Sequence, residues 1–109
     1  IGSEVFARGV PDFTAYVAAK GGQNGFHRSL ATEVARFGIT VNMVSPGWIP
    51  VERHANDPPS AKDAYLAQIP AARWGVPDDV AGAVVFLAGD AASFVNGQNL
   101  HVNGGTTVF

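Results

Sequence analysis

Phe26, Leu30, Val34 and Phe37 fall four, four and three residues apart, which aligns them as one stripe on an α-helix. Gly38 is a natural stop for that helix. Residues 39–45 then alternate apolar with small or polar side chains until Pro46-Gly47 forces a sharp turn, as a strand running into a loop should. A helix over roughly 14–37 that feeds directly into a strand is the repeating step of a parallel α/β sheet. Asp12 or Thr14 is the expected cap of the helix. Residues 4–13, with Gly9, Pro11 and Asp12 and no sustained period, read as a loop.

A second step of the same kind closes the chain. Pro77 suits a first helical turn, and Asp78 and Asp79 would face the positive end of the helix dipole. Over 77–88 the residues Val80, Val84, Phe86 and Leu87 are expected in the core, with Ala81, Gly82 and Ala83 allowing close packing. A short turn at 91–94 leads to a terminal strand, Asn99 to Val102, and then to Gly104-Gly105. Ile1-Gly2-Ser3 are too few to read as a strand on their own.

The chemistry-bearing stretch is Tyr16-Val17-Ala18-Ala19-Lys20. Residues four apart share one face of a helix, so this phenol and this ammonium would project together. A fixed cation near a phenol favours its ionised form, and such a tyrosine can give a proton to a carbonyl oxygen or take one from an alcohol. The alternative is a helix-surface tyrosine beside a solvated lysine. Gly21-Gly22 and Gly25 follow directly, each costing a helix about 1 kcal/mol relative to alanine. They either let a neighbouring backbone approach closely or loosen the helix below the Tyr/Lys turn.

Three further features stand in a fixed order around the pair: Ser3 thirteen residues before Tyr16, then Val41-Asn42-Met43-Val44-Ser45-Pro46-Gly47, then residues 96–105, Asn-Gly-Gln-Asn-Leu-His-Val-Asn-Gly-Gly. Together they resemble the short-chain dehydrogenase/reductase family in its single-domain branch, over residues 1 to about 105. The resemblance implies the C-terminal portion of a Rossmann-like doubly wound parallel sheet. About three strands are expected, the first represented only by the end at residues 1–3, with crossover helices at 14–37 and 77–88. Residues 48–60 would be a mobile covering loop and 61–68 a short helix, the two forming a substrate lid. Without internal repeats or a linker, residues 1–109 read as one unit, the catalytic and substrate-binding part of a dinucleotide-binding domain. The glycine-rich pyrophosphate turn that opens such domains has no counterpart here.

The resemblance also implies roles. Ser3 would hold and polarise the substrate oxygen, Tyr16 would transfer the proton, and Lys20 would activate the phenol and hydrogen-bond the nicotinamide ribose. Pro46, Gly47 and Ile49 would lie against the nicotinamide, with main-chain groups binding its carboxamide. Val51 stands where the family commonly has threonine, and Asn103 where it usually has aspartate. The implied reaction interconverts a ketone and a secondary alcohol, as in 3-oxoacyl-thioester reductases and polyol dehydrogenases, with NAD or NADP as cofactor. Partners would be the small carbonyl or alcohol substrate and further copies of the chain, as a dimer or homotetramer.

Composition excludes several other classes. Seven basic against nine acidic residues give a net charge of -2, with no footprint for nucleic acid. No apolar run approaches the roughly 20 residues of a membrane span. No cysteine is present, which fits a cytoplasmic protein, and His27, His54 and His101 fall in no metal-ligand spacing. Two competing readings stay open. One is a catalytically silent chain that self-associates through helix 14–37 and unpaired sheet edges. The other is a hydrolase dyad of Ser3 and Lys20.

Overall fold

The computed structural model describes residues 1–108. Among the described residues are four helices, α1 (Val5–Arg8), α2 (Thr14–Val34), α3 (Pro59–Leu66) and α4 (Pro77–Ala88), and two strands, β1 (Met43–Pro46) and β2 (Asn99–Val102), with α4 packed against both strands. The strands are parallel, with Met43 opposite Asn99 and Pro46 opposite Val102. The sheet therefore has two strands where about three are expected. Residues 1–4 nonetheless run along the other edge of β1: Gly2 N donates to Val44 O (2.7 Å) and Glu4 N to Pro46 O (3.1 Å). Two bonds advancing by two residues in the same sense are a parallel pairing, too short to count as a strand.

The helical steps lie where the sequence pattern puts them, with local differences. Residues 4–13 are not all loop, because one turn of helix, α1, forms and stops at Gly9. Neither Asp12 nor Thr14 caps α2; Phe13 occupies the cap position without a side-chain bond, and Asp12 takes a left-handed φ of 65°. A 3-10 turn, Ala35–Phe37, completes α2 and ends at Gly38, whose φ of 74° is the left-handed conformation a helix stop requires. At α4, Asp79 caps by accepting from Val76 N at 2.8 Å and forms a bidentate pair with Arg73 at 2.9 and 3.0 Å. The Arg73 hydrogen bonds and the Val76 amide pull the Asp79 carboxyl down to about 2. Residues 90–92 form a 3-10 turn ahead of β2.

The core is small: Ala31, Met43, Val44, Ile69 and Ala92 are its buried apolar residues. The apolar stripe of α2 is not part of it. Phe26 and Phe37 are 66% and 64% exposed, and the buried residues of α2 are His27 and Ala31 instead. The buried side of α2 at Ala31 faces the 95–97 loop: Asn96 donates Nδ2 to Ala31 O, and Gly97 lies against Ala31. On α4, Val84 and Phe86 are likewise exposed rather than buried. Nor does anything approach Gly21, Gly22 or Gly25 within 4 Å of where a side chain would start. Among the described residues these glycines accommodate no neighbour, and α2 passes through them unbroken.

Candidate functional site

The carboxyl ends of β1 and of the 1–4 segment, the first turns of α2 and the chain from 48 to 68 enclose one cleft of about 1190 Å³. Ligands of open parallel sheets bind at this end. Ser3, Tyr16, Lys20, Pro46, Gly47 and Ile49 all line it.

Ser3 is buried, held by the bonds that Gly2 and Glu4 make to β1, and its Oγ accepts weakly from Val5 N at 3.4 Å. Tyr16 and Lys20 come from consecutive turns of α2. Lys20 Nζ lies 5.6 Å from the Tyr16 ring centroid, and Phe13 meets the same ring edge-on at 6.1 Å. The ammonium donates to Ile1 O at 3.3 Å, which uses one of its three protons and ties the N-terminal segment to α2. Tyr16 is 43% exposed, and its hydroxyl makes no hydrogen bond among the described residues. A phenol, an ammonium with protons to spare and a buried hydroxyl thus share one concavity. Such a set can exchange a proton with an oxygen bound between them.

The floor is the Pro46-Gly47-Trp48 turn. A side chain at Gly47 would begin 2.7 Å from the Tyr65 hydroxyl and 3.0 Å from Asn103 Cβ, so position 47 admits only glycine without displacement. Gly47→Ala is expected to cost about 1–3 kcal/mol through overpacking, read as a lower denaturation midpoint with an unchanged slope.

Residues 48–60 are less free than a covering loop would be. Trp48 packs edge-on against His54 (5.7 Å), Tyr65 (5.3 Å) and Trp74 (5.7 Å), while Tyr65 and Trp74 stack at 10°. A 3-10 turn, Glu52–His54, shapes the middle of the segment. Arg53 and His54 border the cleft and hydrogen-bond one another at 3.2 Å.

Glu4 is the residue that sequence reasoning missed. It is 2% exposed, yet both carboxylate oxygens are fully engaged. Oε1 accepts from the Tyr65 hydroxyl (2.6 Å) and Arg8 (2.9 Å), and Oε2 from Asn103 Nδ2 (2.9 Å) and Thr107 Oγ1 (3.2 Å). Burial alone would raise its pKa, but the hydrogen bonds from Tyr65, Arg8 and Asn103 outweigh burial and hold the group below the usual carboxylate value. Tyr65 moves the other way: burial, then its bond to the Glu4 carboxylate, pushes the phenol up and keeps it a donor. The available signal was a pair of oddities, a carboxylate directly after Ser3 and an asparagine in place of aspartate at 103. An aspartate there would set a second negative charge against Glu4.

Among the described residues no three His, Cys, Asp or Glu side chains gather as a metal site, and no helix is long and apolar enough to cross a membrane.

Comparison with known proteins adds the lineage. The sequence model of the family described as Enoyl-(Acyl carrier protein) reductase matches residues 1–107. The 3-oxoacyl-(acyl-carrier-protein) reductase FabG of Haemophilus influenzae is 49% identical over 105 residues, covering 96% of this chain and 43% of that protein. Its namesakes from Salmonella typhimurium and Escherichia coli are 48% and 47% identical, with the same coverage. The chain therefore spans 43% of the length of these curated relatives.

Proposed function

Because the chain belongs to the short-chain dehydrogenase/reductase family, we propose that it forms the catalytic and substrate-binding part of an NAD(P)-dependent oxidoreductase interconverting a 3-oxoacyl thioester and its secondary alcohol. The observation that carries this reading is the convergence of Ser3, Tyr16 and Lys20 on one cleft, in a chain nearly half identical to 3-oxoacyl reductases. That identity favours an acyl thioester over a polyol as the substrate.

The cleft is compatible with a nicotinamide. Gly47 presents a floor without a side chain, Pro46 and Ile49 flank it, and Lys20 retains protons for a ribose hydroxyl. The bound cofactor supplies the hydride. Ser3 donates a hydrogen bond to the substrate oxygen and fixes it against the Tyr16 hydroxyl. Tyr16 then gives that oxygen a proton in reduction, or removes it in oxidation, while the Lys20 charge steadies the phenolate left behind.

The test is turnover of a 3-oxoacyl thioester by the full gene product, followed as loss of NADPH or NADH absorbance with 3-hydroxyacyl product identified by mass spectrometry. No turnover with either cofactor would end the assignment. Titration of the 109-residue chain with NADPH separates the silent-chain reading, which submillimolar binding contradicts.

A second proposal, homo-oligomerisation, has its own observation. Phe26, Phe37 and Val85 lie exposed on the two long helices, and Phe94 is fully exposed beyond α4. Where such side chains form a contiguous patch, the surface commonly marks an interface. Sedimentation of the full gene product as a dimer or tetramer is expected, and a monomer at micromolar concentration would exclude it.

A further inference from the structure

The Tyr65 hydroxyl closes a ring of hydrogen bonds around the base of the cleft. It donates to Glu4 Oε1 at 2.6 Å and accepts from Trp48 N at 2.8 Å, while Glu4 N donates to Pro46 O at 3.1 Å. One atom on α3 thus joins the residue after Ser3 to the turn carrying Pro46 and Gly47. The ring lies within the cleft, since Glu4, Tyr65 and Trp48 all line it. Stacking on Trp74 and the Arg8 guanidinium, 5.7 Å from the ring centroid, orient the Tyr65 side chain.

We propose that Tyr65 and Glu4 are positioning residues that latch α3 onto the catalytic strand ends, so that the separation of Ser3 and the Pro46–Trp48 turn, set by the backbone bonds of Gly2 and Glu4 to β1, is held rigid when α3 is seated. This rests on the reductase reading. The Glu4 carboxylate and the Tyr65 hydroxyl are at hydrogen-bond distance from each other, not from the Tyr16 hydroxyl, so both act on the reaction through Ser3 and the turn. Seating α3 also sets the Tyr65 ring against Trp48 at the cleft base, 5.3 Å between centroids. A misplacement of about 1 Å in such an array is enough to slow turnover about a hundredfold. Loss of a single bond from a ring of three should have a smaller effect.

Tyr65→Phe keeps the stacked ring and deletes only the bridging hydroxyl; Glu4→Gln keeps the volume and deletes the charge. In the full gene product each is expected to lower kcat about tenfold, with the KM for cofactor within about twofold of the parent, and the double variant should be no slower than the worse single one. Amide exchange at Trp48 N should accelerate at least about tenfold in Tyr65→Phe, because its acceptor is gone. Unchanged kcat in Tyr65→Phe, or independent effects that multiply in the double variant, would overturn the latch. Should Tyr65→Phe fail to fold, exchange in the parent decides: a Trp48 amide as fast as an unstructured one removes the latch, and a protected one upholds it. If the parent reduces no thioester, the reductase reading fails, and the latch is then judged on the same exchange measurement alone.

Discussion

Replacing Tyr16 with phenylalanine in the full gene product is expected to reduce turnover by about 10²–10⁴, the range supplied by a positioned general acid or base. The substitution is a narrow probe because of what it leaves in place. Phe13 still meets the ring edge-on, and Lys20 still lies near its face. The hydroxyl being deleted makes no bond within the described chain, so no buried partner is orphaned. Thermal stability should stay within about 0.5 kcal/mol of the parent, as for surface changes away from special features. Cofactor affinity should fall only modestly, since Lys20 and the Pro46–Ile49 backbone remain. Near-normal turnover would show that the phenol is not the proton carrier. Loss of turnover with loss of fold would point to a structural role for the ring instead.

The sequence and the fold agree where local rules act alone. Helix 77–88 is legible because proline at its first turn, acidic residues beside it and the apolar run all point the same way, and Asp79 does cap it. The stop at Gly38 and the turn at Pro46-Gly47 follow from backbone constraints that need no partner. Burial was less legible. A helical stripe says which side chains share a face but not what covers it; Leu30 and Val34 in the middle of this stripe are half-buried, while Phe26 and Phe37 at its ends stay largely exposed. The Tyr16/Lys20 pair was readable because four residues on a helix is a fixed geometry. Glu4 was not, because its partners lie at positions 8, 65, 103 and 107 and only the tertiary fold brings them to it. The short parallel pairing at residues 1–4 shows no period of its own, and only the family resemblance points to a strand end there.

Glu4 also carries the largest expected effect on stability. Glu4→Ala removes the acceptor of Tyr65, Asn103 and Thr107 at once, and leaves the Arg8 guanidinium without its ion-pair partner at 2.9 Å. Arg8 is partly exposed and can turn to solvent, which limits its share of the loss. The partly buried donors of Tyr65 and Asn103 cannot do so as easily, and a loss of about 2–4 kcal/mol is expected by chemical denaturation. Acid should act on the same group. Its folded pKa is depressed, so the stabilisation is complete above the unfolded carboxylate value near 4.5 and is lost as pH falls through the lower folded value. Stability should therefore decline with acid from about pH 4.5 downward, and Glu4→Gln should flatten that part of the curve. Asn103→Asp makes the complementary test. Exchanging the amide donor for a second carboxylate at about 3 Å should destabilise the protein at neutral pH, and much of the loss should return on mild acidification as one of the two groups takes up a proton. A neutral Asn103→Asp variant as stable as the parent would mean that Glu4 is not held as an anion, and that the network joining the first strand end, α3 and the tail is maintained by packing instead.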